Sequence, residues 1–183
     1  MSKRVLVPIA DGTEEIEAVC IIDVLRRADA EVTVASVDGL QVTASRGVTL
    51  VADTLISDCT GEIYDLIVLP GGSQGAEHLR DSGELLEMLK LQERENRLYG
   101  AICASPVIVL QHHGLLGGRR ATSHPSVSDR LDNREEVESR VVVDGNCVTS
   151  RGPGTAIEFS LKLVELLFGK EKSKELTKQM LVT

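Results

Sequence analysis

Continuous apolar runs alternate along this chain with segments whose apolar residues recur every three or four positions. Residues 4–10 form an apolar run of strand character. Residues 14–28 carry a stripe of Ala18, Ile21, Ile22, Leu25 and Ala28, which predicts a helix. A second strand is predicted over 31–37. Two short strands over 40–44 and 48–52 turn at Arg46-Gly47. Residues 64–69 predict a buried strand that ends in Pro70-Gly71-Gly72. A helical stretch follows, interrupted at Ser82-Gly83 and resuming through Asn96. The next strand is predicted over 98–102, with a helix beginning after Cys103. Residues 141–149 contain Asp144-Gly145, a hairpin signal. Thr155 opens a helix with the capping-box pattern Thr-Ala-Ile-Glu. Its expected apolar face is Ile157, Leu161, Val164 and Phe168, and Gly169 is its expected stop. A last helix is predicted through Lys178.

Apolar strands alternating with helices predict an α/β fold with a mostly parallel central sheet covered on both faces. The pattern reads as one doubly wound domain over residues 1–183. In such sheets ligands gather beyond the carboxyl ends of the strands. The turns after Ala10, Leu69, Ile102 and Thr149 are therefore the places to search.

Composition narrows the chemistry. With no Trp, two Tyr and two Phe, the core must be aliphatic, and aromatic platforms for single-stranded nucleic acid are nearly excluded. A net charge of −8 argues against a phosphate backbone or an anionic membrane as partner. No run approaches the roughly 18 apolar residues of a membrane span. The start of the chain has no signal-peptide pattern, and a cytoplasmic, reducing location is expected. Cys20, Cys59, Cys103 and Cys147 are widely spaced, so neither a metal site nor a redox dithiol is expected.

Cys103 stands out among these. It sits where a strand gives way to a helix, with small Ala101 and Ser105 two positions to either side and Pro106 at the helix start. This is the pattern of a nucleophile elbow, and a helix N-terminus is expected to lower the pKa of its thiol. Extending the stripe of the first helix backwards places Glu14 and Glu17 on, or at the edge of, the face towards the sheet. A carboxyl group there lies at a pocket mouth or is desolvated, and desolvation favours its protonated form. Glu15 reads as ordinary first-turn acidity. Ile16, Val19 and Cys20 make the opposite face apolar, as expected if a second copy covers it in a homodimer. The amides of Gly72 and of Ala104, after Cys103, suit an oxyanion hole, although Gly72 also fits a plain turn. His124, held extended by Pro125, could serve Cys103 as a base or proton carrier. Arg46 and Arg151 either line an anion site or are solvated.

Five segments together resemble the DJ-1/PfpI family: Gly-Thr-Glu-Glu-Ile-Glu-Ala-Val (12–19), Leu-Pro-Gly-Gly (69–72), Ala-Ile-Cys-Ala-Ser-Pro (101–106), Ser-His-Pro (123–125) and Thr-Ser-Arg-Gly-Pro-Gly-Thr (149–155). They occur in family order and span nearly the whole chain. The resemblance implies a flavodoxin-like three-layer sandwich and a homodimer. It carries the nucleophile onto Cys103, the protonated carboxyl onto Glu17, the pocket histidine onto His124 and the amide donors onto Gly72 and Ala104. Glu14 and Arg46 match residues near the pocket and dimer contact. Three positions depart from the family: Ser105 replaces a common Gly, Val51 replaces a surface cysteine of animal relatives, and Pro125 replaces the acidic residue of the protease-like ones. The resemblance implies cofactor-free glyoxalase chemistry on a 2-oxoaldehyde, with deglycation of early glycation adducts as a related activity. Its rivals are a redox-sensing chaperone acting through the oxidised thiol and a cysteine protease or amidase, which the missing acidic partner disfavours.

Overall fold

The computed structural model describes residues 2–183. Its elements are β1 (Arg4–Ile9), α1 (Glu15–Arg27), β2 (Glu31–Ser36), β3 (Gln41–Thr43), β4 (Thr49–Val51), β5 (Thr54–Leu55), β6 (Leu66–Leu69), α2 (Ser73–Asp81), α3 (Gly83–Arg94), β7 (Leu98–Ile102), β8 (Val141–Asp144), β9 (Cys147–Ser150), α4 (Ala156–Phe168) and α5 (Lys170–Gln179). Seven strands form one sheet in the order β5-β2-β1-β6-β7-β9-β8. All neighbours are parallel except the β8–β9 hairpin. β3 and β4 pair separately as an antiparallel ribbon.

Alternation along the strands divides the core in two. Leu6, Ile67, Leu69, Tyr99 and Ala101 face a cluster that includes Ala76 and Leu79 of α2 and Leu85 and Leu89 of α3. Val5, Val7, Leu66, Val68 and Ile102 face one that includes Ile21 and Leu25 of α1, Phe159 and Leu163 of α4 and Leu176 of α5. Strands buried on both faces explain why their sequences are continuous apolar runs. The result is a mostly parallel α/β sandwich.

Four local expectations are corrected. The helix after Cys103 is a π-helix over Pro106–Gln111. Leu115 N–H reaches back five residues to Leu110 O, as His112 does to Val107. The Thr155 capping box does not form. The Thr155 hydroxyl instead meets Ser150 Oγ at 2.7 Å and accepts from the amides of Arg151 and Gly152 at 3.2 and 3.1 Å. Glu158 pairs with Arg140 at 2.7 Å. Ile157 is exposed, because α4 buries Ala156, Phe159, Ser160, Leu163 and Val164 along with Leu161. The hairpin turn also falls one residue later than expected, on Gly145-Asn146 between paired Asp144 and Cys147.

The chain runs outward from β1 through β2 to β5, then returns to place β6 on the other side of β1. That reversal opens a crevice between the carboxyl ends of β1 and β6.

Candidate active site

The crevice is a pocket of about 580 Å³, lined by Glu14, Arg46, Gly72, Gln74, Cys103 and His124 among others. This is a normal size for a small-molecule site. A more apolar cleft of about 420 Å³ between residues 60–62 and α3 is lined by no cysteine or histidine.

β7 delivers Cys103 with φ of +67°, a left-handed conformation that non-glycine residues seldom adopt. Its backbone is pinned on both sides. Cys103 N–H donates to Ser150 O at 3.0 Å, and His124 N–H donates to Cys103 O at 2.7 Å. Ser105 Oγ donates to Pro70 O at 2.6 Å, which fastens the elbow to the turn after β6. The expected small residue is thus also a buried hydrogen-bond donor.

α1 delivers Glu17, which is fully buried. Gly71 N–H donates to its Oε1 at 3.0 Å, and its Oε2 has no hydrogen-bond partner. Burial, then the charge of nearby Glu14, lift this carboxyl from 4.5 to about 7; bonds from Cys103 and Gly71 oppose the rise. Cys103 is 8% exposed. Burial and the adjoining Glu17 carboxylate push its thiol from 9.0 up to about 12, against the amides of Gly72 and Ala104. The expected lowering by a helix N-terminus is therefore corrected: desolvation outweighs the dipole at the head of a six-residue helix. Both groups crowd against Gly71 and the Glu17 charge acts on the thiol, so they titrate as a pair: the first proton leaves far more readily than the second. Over the range between, the pair holds one proton, which rests on the Cys103 thiol and passes to Glu17 when the thiolate forms.

Gly71, which the sequence does not distinguish from an ordinary turn glycine, is what lets the two meet. A Cβ there would collide with the Cβ of Cys103 and lie 2.7 Å from Glu17 Oε1 and 2.9 Å from Ile102 O. Gly72 holds φ of +87°, and a Cβ on it would strike Gly12 O. This conformation brings its amide to the thiol.

Glu14 is half-buried at the pocket mouth and caps α1, its Oε2 accepting from Glu17 N–H at 2.8 Å. Glu15 is more than a first-turn acid. Its buried carboxylate accepts from Arg46 N–H at 2.7 Å and Ser45 Oγ at 2.8 Å, tying the β3–β4 turn to α1. Arg46 thereby reaches the pocket rim. Arg151 does not line this pocket. It pairs with Glu138 at 3.3 Å, and its Nε is buried without a partner. The turn after β9 is committed to the Thr155 hydroxyl, which holds Arg151 by its amide. His124 joins Cys103 in the pocket, but its Nδ1 faces Ser126 Oγ at 2.8 Å and no carboxylate. A Cys-His-acid triad is not assembled here.

Among the described residues, no helix is long and apolar enough to cross a membrane, and no group of three His, Cys, Asp or Glu side chains is placed to hold a metal ion.

The comparisons agree with this fold. A Toxoplasma gondii structure described as DJ-1, oxidized, superposes with a TM-score of 0.96 at 52% identity over 98% of each chain. The Arabidopsis thaliana Protein DJ-1 homolog B is 54% identical over 98% of this chain, which spans only 41% of that longer protein. A Caenorhabditis elegans protein named Glutathione-independent glyoxalase DJR-1.2 is 36% identical over 98% of this chain and 95% of its own length. The model of the DJ-1/PfpI family matches residues 3–166, which takes in the elbow cysteine, the buried glutamate and the glycine turn between them: the chain belongs to the DJ-1/PfpI family.

Proposed function

We propose that this protein is a glutathione-independent glyoxalase that converts methylglyoxal to lactate and glyoxal to glycolate, and that Cys103 is its nucleophile. One observation carries the reading: a buried carboxyl raised to about 7 lies beside the elbow cysteine, across Gly71, at a small-molecule pocket. The name of the worm relative supports the same chemistry.

The steps follow from the shared proton. With that proton on Glu17, the Cys103 thiolate attacks the aldehyde carbon of the substrate. The C–S bond forms, and the amides of Gly72 and Ala104 hold the oxyanion until Glu17 protonates it. The Glu17 carboxylate then takes the hydrogen from C1 as a proton, and the electron pair moves onto the C2 oxygen as an enediolate. Glu17 returns the proton to C2, and the hydroxyl proton passes from the oxygen on C1 to that on C2. The product is a thioester, which water hydrolyses to the acid and the free thiol. His124 assists at the substrate oxygens, and Glu14 and Arg46 bound the entrance. The same groups suit deglycation of early glycation adducts.

Large apolar side chains stand exposed on α1 (Ile16, Val19) and on or beside β4 (Val48, Val51). We propose that a second copy covers them in a homodimer, which sedimentation tests directly.

A second reading rests on the same cysteine. A protonated Glu17 is placed to donate to an oxidised Cys103, which suits redox sensing. Fully reduced protein incubated with methylglyoxal, without glutathione, separates the two. Lactate from wild type but not from Cys103→Ser supports the enzyme. No lactate from either removes it and leaves the sensor.

A further inference from the structure

His124 lies in a tight turn: Val127 N–H donates back to His124 O at 3.0 Å. Ser126, inside the turn, folds over the imidazole. Its amide donates to Nδ1 at 3.2 Å, and its hydroxyl lies 2.8 Å from the same nitrogen. A backbone amide can only donate, so Nδ1 must carry its lone pair, and the hydroxyl donates alongside. The hydrogen bond at one ring nitrogen decides where the proton of the other sits. In the neutral ring that proton is therefore on Nε2, which has no partner among the described residues. Turning the ring over would set carbon against the Ser126 amide and lose both bonds. Gly152 lies beside the other edge of the ring, where a Cβ built on it would come 3.4 Å from His124 Cδ2.

We infer that Ser126 is a positioning residue that locks His124 as the Nε2–H tautomer, making it a hydrogen-bond donor to the substrate oxygen and not a base for Cys103. A ring with Nε2 protonated has no lone pair there with which to take the thiol proton. It donates to the C2 oxygen as charge develops in the enediolate, and no proton leaves it. The only base of the site is then Glu17. The catalytic half of this inference rests on the glyoxalase reading; the tautomer does not.

The two are tested separately. In histidine-¹⁵N-labelled protein, at a pH where the ring is neutral, the spectrum is expected to show protonated Nε2 and unprotonated Nδ1 for His124. A protonated Nδ1 would overturn the inference, whatever the protein does to methylglyoxal. Ser126 is exposed, so substitutions there leave the core alone. Ser126→Asp replaces the donating hydroxyl with a carboxylate that accepts from Nδ1–H; this charge-assisted bond should outcompete the longer 3.2 Å amide bond and move the proton to Nδ1, and an unmoved proton would overturn the part of Ser126's side chain in the lock. With methylglyoxal, its kcat is expected to fall about tenfold with KM changed less than about twofold. Ser126→Thr keeps the hydroxyl and should restore both the spectrum and kcat. A Ser126→Asp protein with the tautomer moved and kcat intact would refute the positioning role. Wild type with the Nε2–H spectrum but no lactate would instead sink the glyoxalase reading and leave the tautomer standing.

Discussion

Replacing Glu17 with Gln should stabilise the protein at neutral pH while disabling it. The folded carboxyl is held at about 7 against 4.5 in the unfolded chain. Between these values the native state binds more protons than the unfolded state, so stability falls as pH rises through the window. Above pH 7 the loss is complete. It amounts to up to about 3 kcal/mol, since each tenfold difference in proton affinity between the folded and unfolded carboxyl is worth roughly 1.4 kcal/mol. Gln has the same shape, keeps an oxygen for the Gly71 amide and carries no charge into this fully buried site. The variant and wild type should therefore unfold alike near pH 4.5. At pH 8 the variant should be more stable, with a melting temperature higher by roughly 6–10 °C for a chain of this size. Its lactate formation should fall by about 10² or more, since the proton carrier is gone. Melting curves at the two pH values, read with the activity assay, check both halves. Equal stability at pH 8, or the same pH slope in both proteins, would refute the claim that burial raises the Glu17 carboxyl.

Two more substitutions probe how the site is built. Gly71→Ala should destabilise by roughly 1–3 kcal/mol through overpacking, and it should cost activity even in molecules that fold, because the intruding methyl group separates Cys103 from Glu17. Melting temperature and kcat report the two effects, and a wild-type kcat would contradict the second. Ser105→Ala removes the 2.6 Å bond to Pro70 O and leaves that buried carbonyl unpaired. It should cost about 1–3 kcal/mol in denaturant unfolding, and a loss below about 0.5 kcal/mol would mean that the elbow does not depend on this tie.

The parts of the molecule set by short-range pattern are legible in the sequence. Apolar runs with two buried faces mark the strands of the parallel sheet, and the spacing of small residues around Cys103 marks a backbone that reaches φ of +67°. The helical stripe of α1 points Glu17 inward, and burial there is complete. What escapes depends on contacts distant in sequence. Gly71 matters because of atoms on α1 and β7, and no local signal distinguishes it from a turn glycine. Glu15 resembles helix-start acidity because its partners lie 30 and 31 residues on. The Thr155 capping box fails because the end of β9 offers its hydroxyl better partners. The rise of the Cys103 thiol above its ordinary value escapes because a dipole is visible in a sequence and desolvation is not.

The central claim is that Cys103 and Glu17 work as one acid–base pair with a shared proton. The pH dependence of kcat/KM for lactate formation tests it most directly. An acid limb is expected at about 7, where the first proton leaves the pair, with a plateau that holds well above pH 9 because the second leaves only at about 12. A single rise centred at 9.0, the ordinary value of a thiol, would contradict it and leave Cys103 acting without Glu17.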